Sequence, residues 1–289
     1  MLTLVHVSDL HFGRRRDSAA AHDKALLEML GQKYSFATSE NTYLLVTGDL
    51  VDGEEPRDWA KQWRDVQAAL APFKGRLLVC PGNHDLGIPG TLVKYRELCA
   101  FLGVSGAGYV PGCIGDGTTI VKLLGIDSTW AFPGLGIAGI GHVARSQSKA
   151  VDRFVAEPGI EWKMLYLHHR PVEPTISEGA KKAMDDGKLT ALAEHLSELK
   201  DLVCSDFMAL VNADDLLASI SGKLDIMAFG HDKCFGDDVH TSQPVWVNSN
   251  REDTTTTGWV ELRFEGRLCD IVDQSADGTI VGSRRIVKP

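Results

Sequence analysis

Several short apolar runs of the sequence end in aspartate, asparagine or histidine, and a glycine often stands beside these residues. The segments that follow the runs are Ser8-Asp9-Leu10-His11, Gly48-Asp49, Gly82-Asn83-His84-Asp85, His168-His169 and Gly230-His231. Because ligands of open α/β sheets bind outside the carboxyl ends of the strands, we expect these side chains to meet at one edge of a sheet. Carboxylates and imidazoles crowded together are stable when a cation lies among them. The pattern therefore predicts a metal site.

The predicted ligand atoms are oxygens and nitrogens, since these segments contain no cysteine. This donor set favours Mn²⁺, Fe, Zn²⁺ or a related divalent ion over a thiolate site. Each segment alone has a more ordinary interpretation, because Gly48-Asp49 is typical of a turn and a single Asp-x-His is a weak signal. Their occurrence together and in this order indicates a metal centre.

The elements that must position these residues follow from the apolar pattern. Strands are expected over Leu2–Val7, Tyr43–Val46, Leu77–Cys80, Thr119–Ile126, Met164–Leu167 and Asp225–Phe229. Helices are expected over Ala19–Gln32, Arg57–Ala71, Thr91–Leu102 and Ser146–Ala156. Within the second helix, Trp63, Val66 and Leu70 recur at helical spacing and predict one buried face. This alternation predicts an α/β fold in which helices cover a sheet.

Two regions depart from this alternation. The runs Pro244–Val247, Trp259–Phe264, Leu268–Val272 and Thr279–Val287 are separated by Gly and Asp turns and predict an antiparallel meander. The stretch Glu173–Gly222 has a helical pattern, with one helix expected over Asp206–Ile220. We interpret it as a helical insertion, either a cap over the site or extra surface helices, within a single domain over residues 1–289.

The composition is that of a soluble globular protein. Of the 289 residues, 44% are hydrophobic and 24% charged, which excludes disordered, fibrous and disulfide-stapled classes. The formal net charge of −9 argues against nucleic acid or anionic lipid as a partner of the whole surface. The six cysteines form no Cys-x-x-Cys pair and are expected to be reduced. Because neither a membrane-spanning run nor a secretory signal is visible, we expect a cytoplasmic protein without membrane contact.

Taken in order, the strand-end segments resemble the signature of the calcineurin-like metallophosphoesterase family. That signature consists of Asp-x-His, Gly-Asp, Gly-Asn-His-Asp, a strand-end His and Gly-His, and here it runs from Asp9 to His231. The signature is specific for the superfamily and much less so for a substrate. The resemblance implies a four-layer α/β/β/α sandwich with two divalent metal ions at the ends of the sheets.

The resemblance also implies a role for each residue. The implied metal ligands are Asp9 and His11 on the first metal, Asp49 on both, and Asn83, His168 and His231 on the second. His84 is implied to protonate or stabilise the leaving oxygen, and Asp85 to orient His84. A metal-bound hydroxide is implied to attack phosphorus in line.

One position departs from a common form of the signature. Many small members read Gly-His-x-His, whereas Lys233 stands here at the second histidine, and a protonated ammonium cannot bind a metal. We hypothesise that Lys233 contacts the substrate phosphate or pairs with an acidic residue. Arg14 and Arg170 are further candidates for phosphate contact, because guanidinium matches phosphate geometry. A solvated surface position is the alternative for both arginines.

The function expected from this reasoning is metal-dependent phosphoester hydrolysis. Within that class we expect a phosphodiesterase whose partner is a small nucleotide-type substrate. A phosphomonoesterase, a DNA nuclease that works with an ATPase partner and, last, a non-catalytic scaffold are the alternatives. The oligomeric state has no signal in the sequence.

Overall fold

The computed structural model describes residues 1–13, 19–36, 38–52, 59–86, 91–104, 112–129, 141–172, 179, 182, 210–231, 244–249 and 258–288. In these ranges the strands are β1 (Leu2–Val7), β2 (Thr42–Thr47), β3 (Leu77–Cys80), β4 (Gly112–Gly115), β5 (Ile120–Gly125), β6 (Trp162–Tyr166), β7 (Ile226–Phe229), β8 (Val245–Asn248), β9 (Trp259–Glu265), β10 (Leu268–Gln274) and β11 (Ile280–Val287). The helices are α1 (Ala19–Lys33), α2 (Trp59–Leu70), α3 (Asn83–Leu86), α4 (Thr91–Leu102), α5 (Arg145–Ala156) and α6 (Ala213–Ile220), with a 3₁₀ turn over Ala71–Phe73.

The described strands form two sheets. The first has the order β11-β10-β9-β1-β2-β3, in which β1, β2 and β3 are parallel and the strands from β9 onward are antiparallel. The second has the order β4-β5-β6-β7-β8, in which β5 to β8 are parallel and β4 is antiparallel to β5. Five strands that precede the predicted ligands therefore end in two parallel groups, β1 to β3 and β6 with β7.

The apolar core is divided into three layers by the two sheets. Leu4 and Leu45 of the first sheet meet Met164 and Ile226 of the second between the sheets. Because successive side chains of a strand point to opposite faces, the neighbouring Val5 faces the other way. It packs with the helices α1, α2 and α4 on the outer side of the first sheet.

The helices α5 and α6 close the outer side of the second sheet. Val151 and Phe154 of α5 pack with Leu216 of α6 and with Leu165 and Met227 of the sheet. The order of layers is thus helix, sheet, sheet, helix, and this confirms the predicted α/β/β/α architecture. No helix in the described ranges has the length and apolar character needed to cross a membrane.

The six strands and four helices predicted before the tail are all present, and their ends differ from the predicted ones by at most two residues. The predicted meander is wrong for its first run. Strand β8 pairs parallel with β7 in the second sheet, whereas β9, β10 and β11 form the antiparallel part of the first. The physical reason is burial on both faces, since Trp246 packs on the helix side and Val247 between the sheets.

The helix expected over Asp206–Ile220 begins at Ala213 in the structure. Asn212 directly precedes this helix. Its side chain accepts a hydrogen bond from the backbone N–H of Val143 and donates one to the Val143 carbonyl, which fixes the start of the helix against the segment before α5. Helix α6 is part of the layer on the second sheet. Residues 173–209, apart from 179 and 182, lie outside the described ranges, so a cap in that region stays a prediction. The four described cysteines, Cys80, Cys99, Cys113 and Cys269, are free thiols.

Candidate metal centre

The predicted ligands meet where the carboxyl ends of the two parallel groups of strands lie side by side. Oxygen and nitrogen atoms of Asp9, Asp49, His168 and His231 lie within 4.8 Å of one another. Asp9 and Asp49 follow strands of the first sheet, whereas the two histidines follow strands of the second. The centre is therefore assembled from two sheets, whereas the strand-end pattern predicted the edge of one sheet.

Three imidazole rings turn a nitrogen toward one oxygen of Asp49. The Nε2 atoms of His168, His11 and His84 lie 3.3, 3.7 and 3.9 Å from Asp49 Oδ2. The other oxygen, Oδ1, accepts a 2.9 Å hydrogen bond from the backbone N–H of His84. Asp49 is 1% exposed, so these groups rather than water surround its charge.

His168 indicates why such a cluster fits a cation. Its Nδ1 lies 2.8 Å from the carbonyl oxygen of Thr47 and carries a proton, because a carbonyl only accepts. The Nε2 of the neutral ring then carries a lone pair. It faces Asn83 Oδ1 at 3.1 Å and His231 Nδ1 at 2.9 Å as well as Asp49. One proton on Nε2 would satisfy one of these neighbours, whereas a divalent cation among them would satisfy all of them.

Asp9 links the first sheet to the last ligand loop. Its Oδ2 accepts a 3.0 Å hydrogen bond from the backbone N–H of His231 and a short one from the hydroxyl of Ser8. Its Oδ1 lies 3.8 Å from His11 Nε2. Asp9 and Asp49 thus each present an oxygen within 4 Å of the same imidazole nitrogen, so one cation could contact all three side chains.

Asp52 holds the other side of this cluster. Its carboxylate lies 3.6 Å from Nδ1 of His11, and its carbonyl oxygen accepts a short hydrogen bond from Nδ1 of His84. A carboxylate that faces one nitrogen of a histidine orients the second nitrogen toward a metal. Both rings consequently keep Nε2 on the side of Asp49, and they pack edge to face at 4.7 Å between centroids.

Backbone strain is concentrated at the same residues. In the described ranges five non-glycine residues have positive φ, of which four are Asp9 at 57°, His11 at 41°, Asp49 at 51° and His231 at 64°. Aspartate and histidine tolerate this region better than most residues, and it costs about 1–2 kcal/mol for each of them. The turns after the strands therefore have strained backbone conformations that orient the ligands and lower the stability of the fold.

Two glycines of the motifs are required by close approach of other chain segments. A Cβ on Gly82 would lie 2.2 Å from Oδ1 of Asp49, and one on Gly230 would lie 1.7 Å from Oγ of Ser8. Any larger residue at either position would displace a carboxylate that the cluster needs. These contacts explain why glycine precedes Asn83 and His231.

The pKa values of the cluster follow from burial and from the short distances between charges. Burial alone would lower the pKa of His168, but Asp49 outweighs it and raises this pKa to about 9. Burial would raise the pKa of Asp49, but His168, His84 and His11 hold it well below its ordinary value. Burial raises the pKa of Asp9 to about 6, with Asp49 adding to the effect and His168 opposing it. The buried carboxylate of Asp49 thus stabilises positive charge on the rings around it, and a metal ion bound there would supply that charge instead.

The expected role of Asp85 is wrong in one respect. Its Oδ1 accepts from the backbone N–H groups of Leu50 and Val51, and its Oδ2 accepts from that of Gly82. None of these bonds reaches the imidazole of His84, which is held by Asp52 instead. Asp85 therefore joins the two motif loops, because a buried carboxylate takes the nearest free N–H donors.

Sequence reasoning also missed one member of the site. Ser128, which follows β5, contacts the paired histidines through its hydroxyl, and a serine after a strand carries no signal beyond a turn. Arg170 directly follows His169 and is half-buried. Arg14 and Lys233 lie outside the described ranges, so phosphate contact by these three residues stays a prediction.

One curated protein has a similar sequence. The DNA double-strand break repair protein Mre11 of Saccharolobus solfataricus is 24% identical over 200 residues, which are 65% of this chain and 46% of that protein. The chain thus spans about half the length of the curated relative it matches.

Two solved structures resemble the fold. The purple acid phosphatase PPD1 of yellow lupin has a TM-score of 0.61 at 13% identity, over 99% of this chain and 54% of its own. A dimetal phosphatase of Danio rerio has a TM-score of 0.59 at 11% identity, over 100% and 99% of the two chains. At such identities the likeness concerns the fold.

A family model is more specific than these likenesses. The model for the calcineurin-like phosphoesterases matches residues 2–235, a range that includes every predicted ligand from Asp9 to His231. Together with the buried cluster of carboxylates and imidazoles, this match decides the class of the protein. The chain belongs to the calcineurin-like phosphoesterase family.

Proposed function

We propose that the protein is a dinuclear-metal phosphodiesterase that acts on a small, nucleotide-type substrate. The observation that carries this proposal is the convergence of three imidazole Nε2 atoms on one oxygen of Asp49. One carboxylate oxygen can lie between two cations, and candidate ligands of both cations surround Oδ2 of Asp49.

The ligands divide into two groups around Asp49. Asp9 and His11 are assigned to the first cation, because His11 Nε2 lies 3.8 Å from Asp9 Oδ1 and 3.7 Å from Asp49 Oδ2. Asn83, His168 and His231 are assigned to the second, because Asn83 Oδ1 and His231 Nδ1 both lie within 3.1 Å of His168 Nε2. Manganese, iron and zinc all suit oxygen and nitrogen ligands of this kind.

Bound there, two divalent cations would neutralise the phosphoryl oxygens and lower the pKa of a water molecule. The chain itself supplies the proton for the leaving oxygen. Nδ1 of His84 donates to the Asp52 carbonyl, so the ring is oriented with Nε2 on the side of Asp49. The His84 side chain is 23% exposed, which lets a substrate reach it. Burial opposes the charged form, but Asp49 outweighs it and raises the pKa of His84, so the ring holds a proton that it can donate.

A second candidate, a DNA nuclease, is favoured by the match to Mre11. The formal net charge of −9 weighs against it, because proteins that bind duplex DNA neutralise many phosphates with basic residues. A small diester needs no such surface. We therefore place the small substrate first and the nuclease second.

The test loads metal-free protein with Mn²⁺, Zn²⁺ or Fe²⁺ and compares four substrates. These are a cyclic nucleotide, bis(p-nitrophenyl) phosphate, p-nitrophenyl phosphate and linear duplex DNA. We expect hydrolysis of the first two to exceed that of the monoester, with DNA left intact. Asp49→Ala should abolish the activity. The control Asp270→Ala removes a carboxylate of β10 that pairs with Arg285 of β11, and it should preserve the activity.

Two results would overturn the proposal. If the monoester is hydrolysed faster than both diesters, the protein is a phosphomonoesterase. If DNA is cut with a rate that falls steeply as salt rises, the nuclease replaces the small-substrate enzyme.

A further inference from the structure

The proposed ligand His168 is followed by a second buried histidine whose role the metal assignment leaves open. His169 is fully buried, and one of its ring nitrogens lies within 4.8 Å of nitrogens of His168 and His231. Its ring centroid lies 5.0 Å from that of His168 and 4.6 Å from that of His231. By position alone His169 could be a third imidazole ligand.

The hydroxyl of Ser128 determines which nitrogen of His169 carries the proton. Ser128 Oγ accepts hydrogen bonds from the backbone N–H groups of His168 at 3.3 Å and of His169 at 3.1 Å. It also lies 2.9 Å from Nδ1 of His169. A hydroxyl has two lone pairs and one proton, so with both lone pairs in use it must donate to Nδ1.

The two histidines consequently use Nδ1 in opposite ways. Nδ1 of His169 accepts and is unprotonated, so the neutral ring carries its proton on Nε2. In His168 Nδ1 donates to the carbonyl of Thr47, so Nε2 is the nitrogen that can bind a metal.

We propose that Ser128 is a positioning residue that keeps Nδ1 of His169 unprotonated and holds the backbone of the histidine pair. Nε2 of His168 is then a metal ligand, whereas Nε2 of His169 carries the proton of the ring and is not a ligand. This inference rests on the proposed metal centre and assigns a different role to each of two adjacent, chemically identical side chains.

The opposite tautomer of His169 does not fit the hydrogen bonds of Ser128. A ring that had to ligate through Nε2 would need its proton on Nδ1. The hydroxyl of Ser128 would then have to take three donors on two lone pairs, which its geometry does not allow.

Nitrogen NMR of ¹⁵N-histidine-labelled protein tests the tautomer directly. Protonated and unprotonated ring nitrogens resonate far apart, and His169→Gln identifies the His169 signals by their loss. We expect a protonated Nε2 and an unprotonated Nδ1 in metal-free protein, and the same pattern after loading with diamagnetic Zn²⁺. A proton on Nδ1 of His169, or loss of the Nε2 proton on adding Zn²⁺, would overturn the proposal.

A pair of variants tests the positioning role through metal affinity measured by calorimetry. Ser128→Ala should weaken Zn²⁺ binding by about 10–100-fold, the usual effect of removing a group that orients a ligand. Thr129→Val is the matched control, since it removes the next hydroxyl of the same turn, which bonds to Asp127 and not to a histidine. Equal affinities of wild type and Ser128→Ala, or equal losses in both variants, would overturn the role.

The outcomes separate this proposal from the proposed function. If the wild-type protein takes up no divalent metal, the metal centre fails, while the tautomer of His169 in metal-free protein is still measured. If Ser128→Ala does not fold, the wild-type spectrum alone decides the tautomer. If the wild type binds metal and hydrolyses diesters but His169 is protonated on Nδ1, only the inference about Ser128 and His169 is wrong.

Discussion

Replacement of His6 by glutamine should remove part of the acid sensitivity of the fold. His6 lies in β1, is 0% exposed, and its Nε2 lies 2.9 Å from Thr47 Oγ1 and 3.1 Å from Ser249 Oγ. It therefore joins the ends of β1, β2 and β8, close in the chain to Asp9 and Asp49. Because this place excludes water, burial lowers the pKa of His6 to about 3.

The sign of the effect follows from the two pKa values. Between the ordinary value of 6.5 and about 3, the unfolded chain binds a proton at His6 and the native protein does not. Stability from the neutral ring is therefore complete above the unfolded pKa and is lost as the pH falls toward 3. From about pH 7.5 to about pH 5.5 the loss from this one group is about 1.4 kcal/mol of unfolding free energy.

The assay is urea unfolding of EDTA-treated wild type and His6→Gln at those two pH values. Glutamine keeps a polar group that can bond to Thr47 but does not titrate. Other groups, such as His168 and Asp9, contribute equally to both proteins, so the difference between the two losses isolates His6. The variant should lose about 1.4 kcal/mol less than the wild type. Equal losses would refute the claim that a buried, neutral His6 makes the fold acid-sensitive.

Three further predictions concern the site. In Gly230→Ala the new Cβ meets Ser8 Oγ at 1.7 Å and Asp9 Oδ2 at 2.7 Å, so calorimetry should detect no tight metal binding. In Gly31→Ala of α1 the new Cβ would lie 3.8 Å from the nearest atom, so this variant should bind metal as the wild type does and gain roughly 0.5–1 kcal/mol of unfolding free energy. Equal metal affinities of the two glycine variants would contradict the steric argument. His84→Ala should keep its metal content but lose about 10²–10⁴-fold in turnover of a cyclic nucleotide. The loss should be smaller for bis(p-nitrophenyl) phosphate, whose leaving group needs little protonation, and equal losses would exclude proton donation. Asp49→Ala should lose both metal and turnover, and wild-type metal content would contradict its bridging role.

Local patterns in the sequence were sufficient to predict most of the strands and helices, whereas the arrangement in four layers was implied by the resemblance to the family. Apolar runs with the period of a strand or helix report whether side chains face a core, and this is a property of each segment alone. Which strand pairs with which is not a property of one segment, and β8 is an example. Its run of four residues is as compatible with the antiparallel tail as with β7, and only burial of Trp246 and Val247 on opposite faces decides between them.

The candidate ligands could also be predicted, because the carboxyl ends of parallel strands must share an edge. The motifs supplied the identities from Asp9 to His231, and the structure placed them around Asp49. The roles of neighbouring residues were harder to predict. Asp85 was expected to orient the adjacent His84, but it bonds to backbone N–H groups of Leu50 and Val51, which lie in a different loop.

What the sequence determined by itself is the set of chemical groups and the strands that carry them, since residue type and periodicity are local. What only the tertiary structure decided is which nitrogen of each imidazole faces the centre. Ser128 and His169 are 41 positions apart, and Thr47 and His168 are 121 apart. The proton on a histidine ring is fixed by the partner of its other nitrogen, and that partner is brought to it by the packing of two sheets.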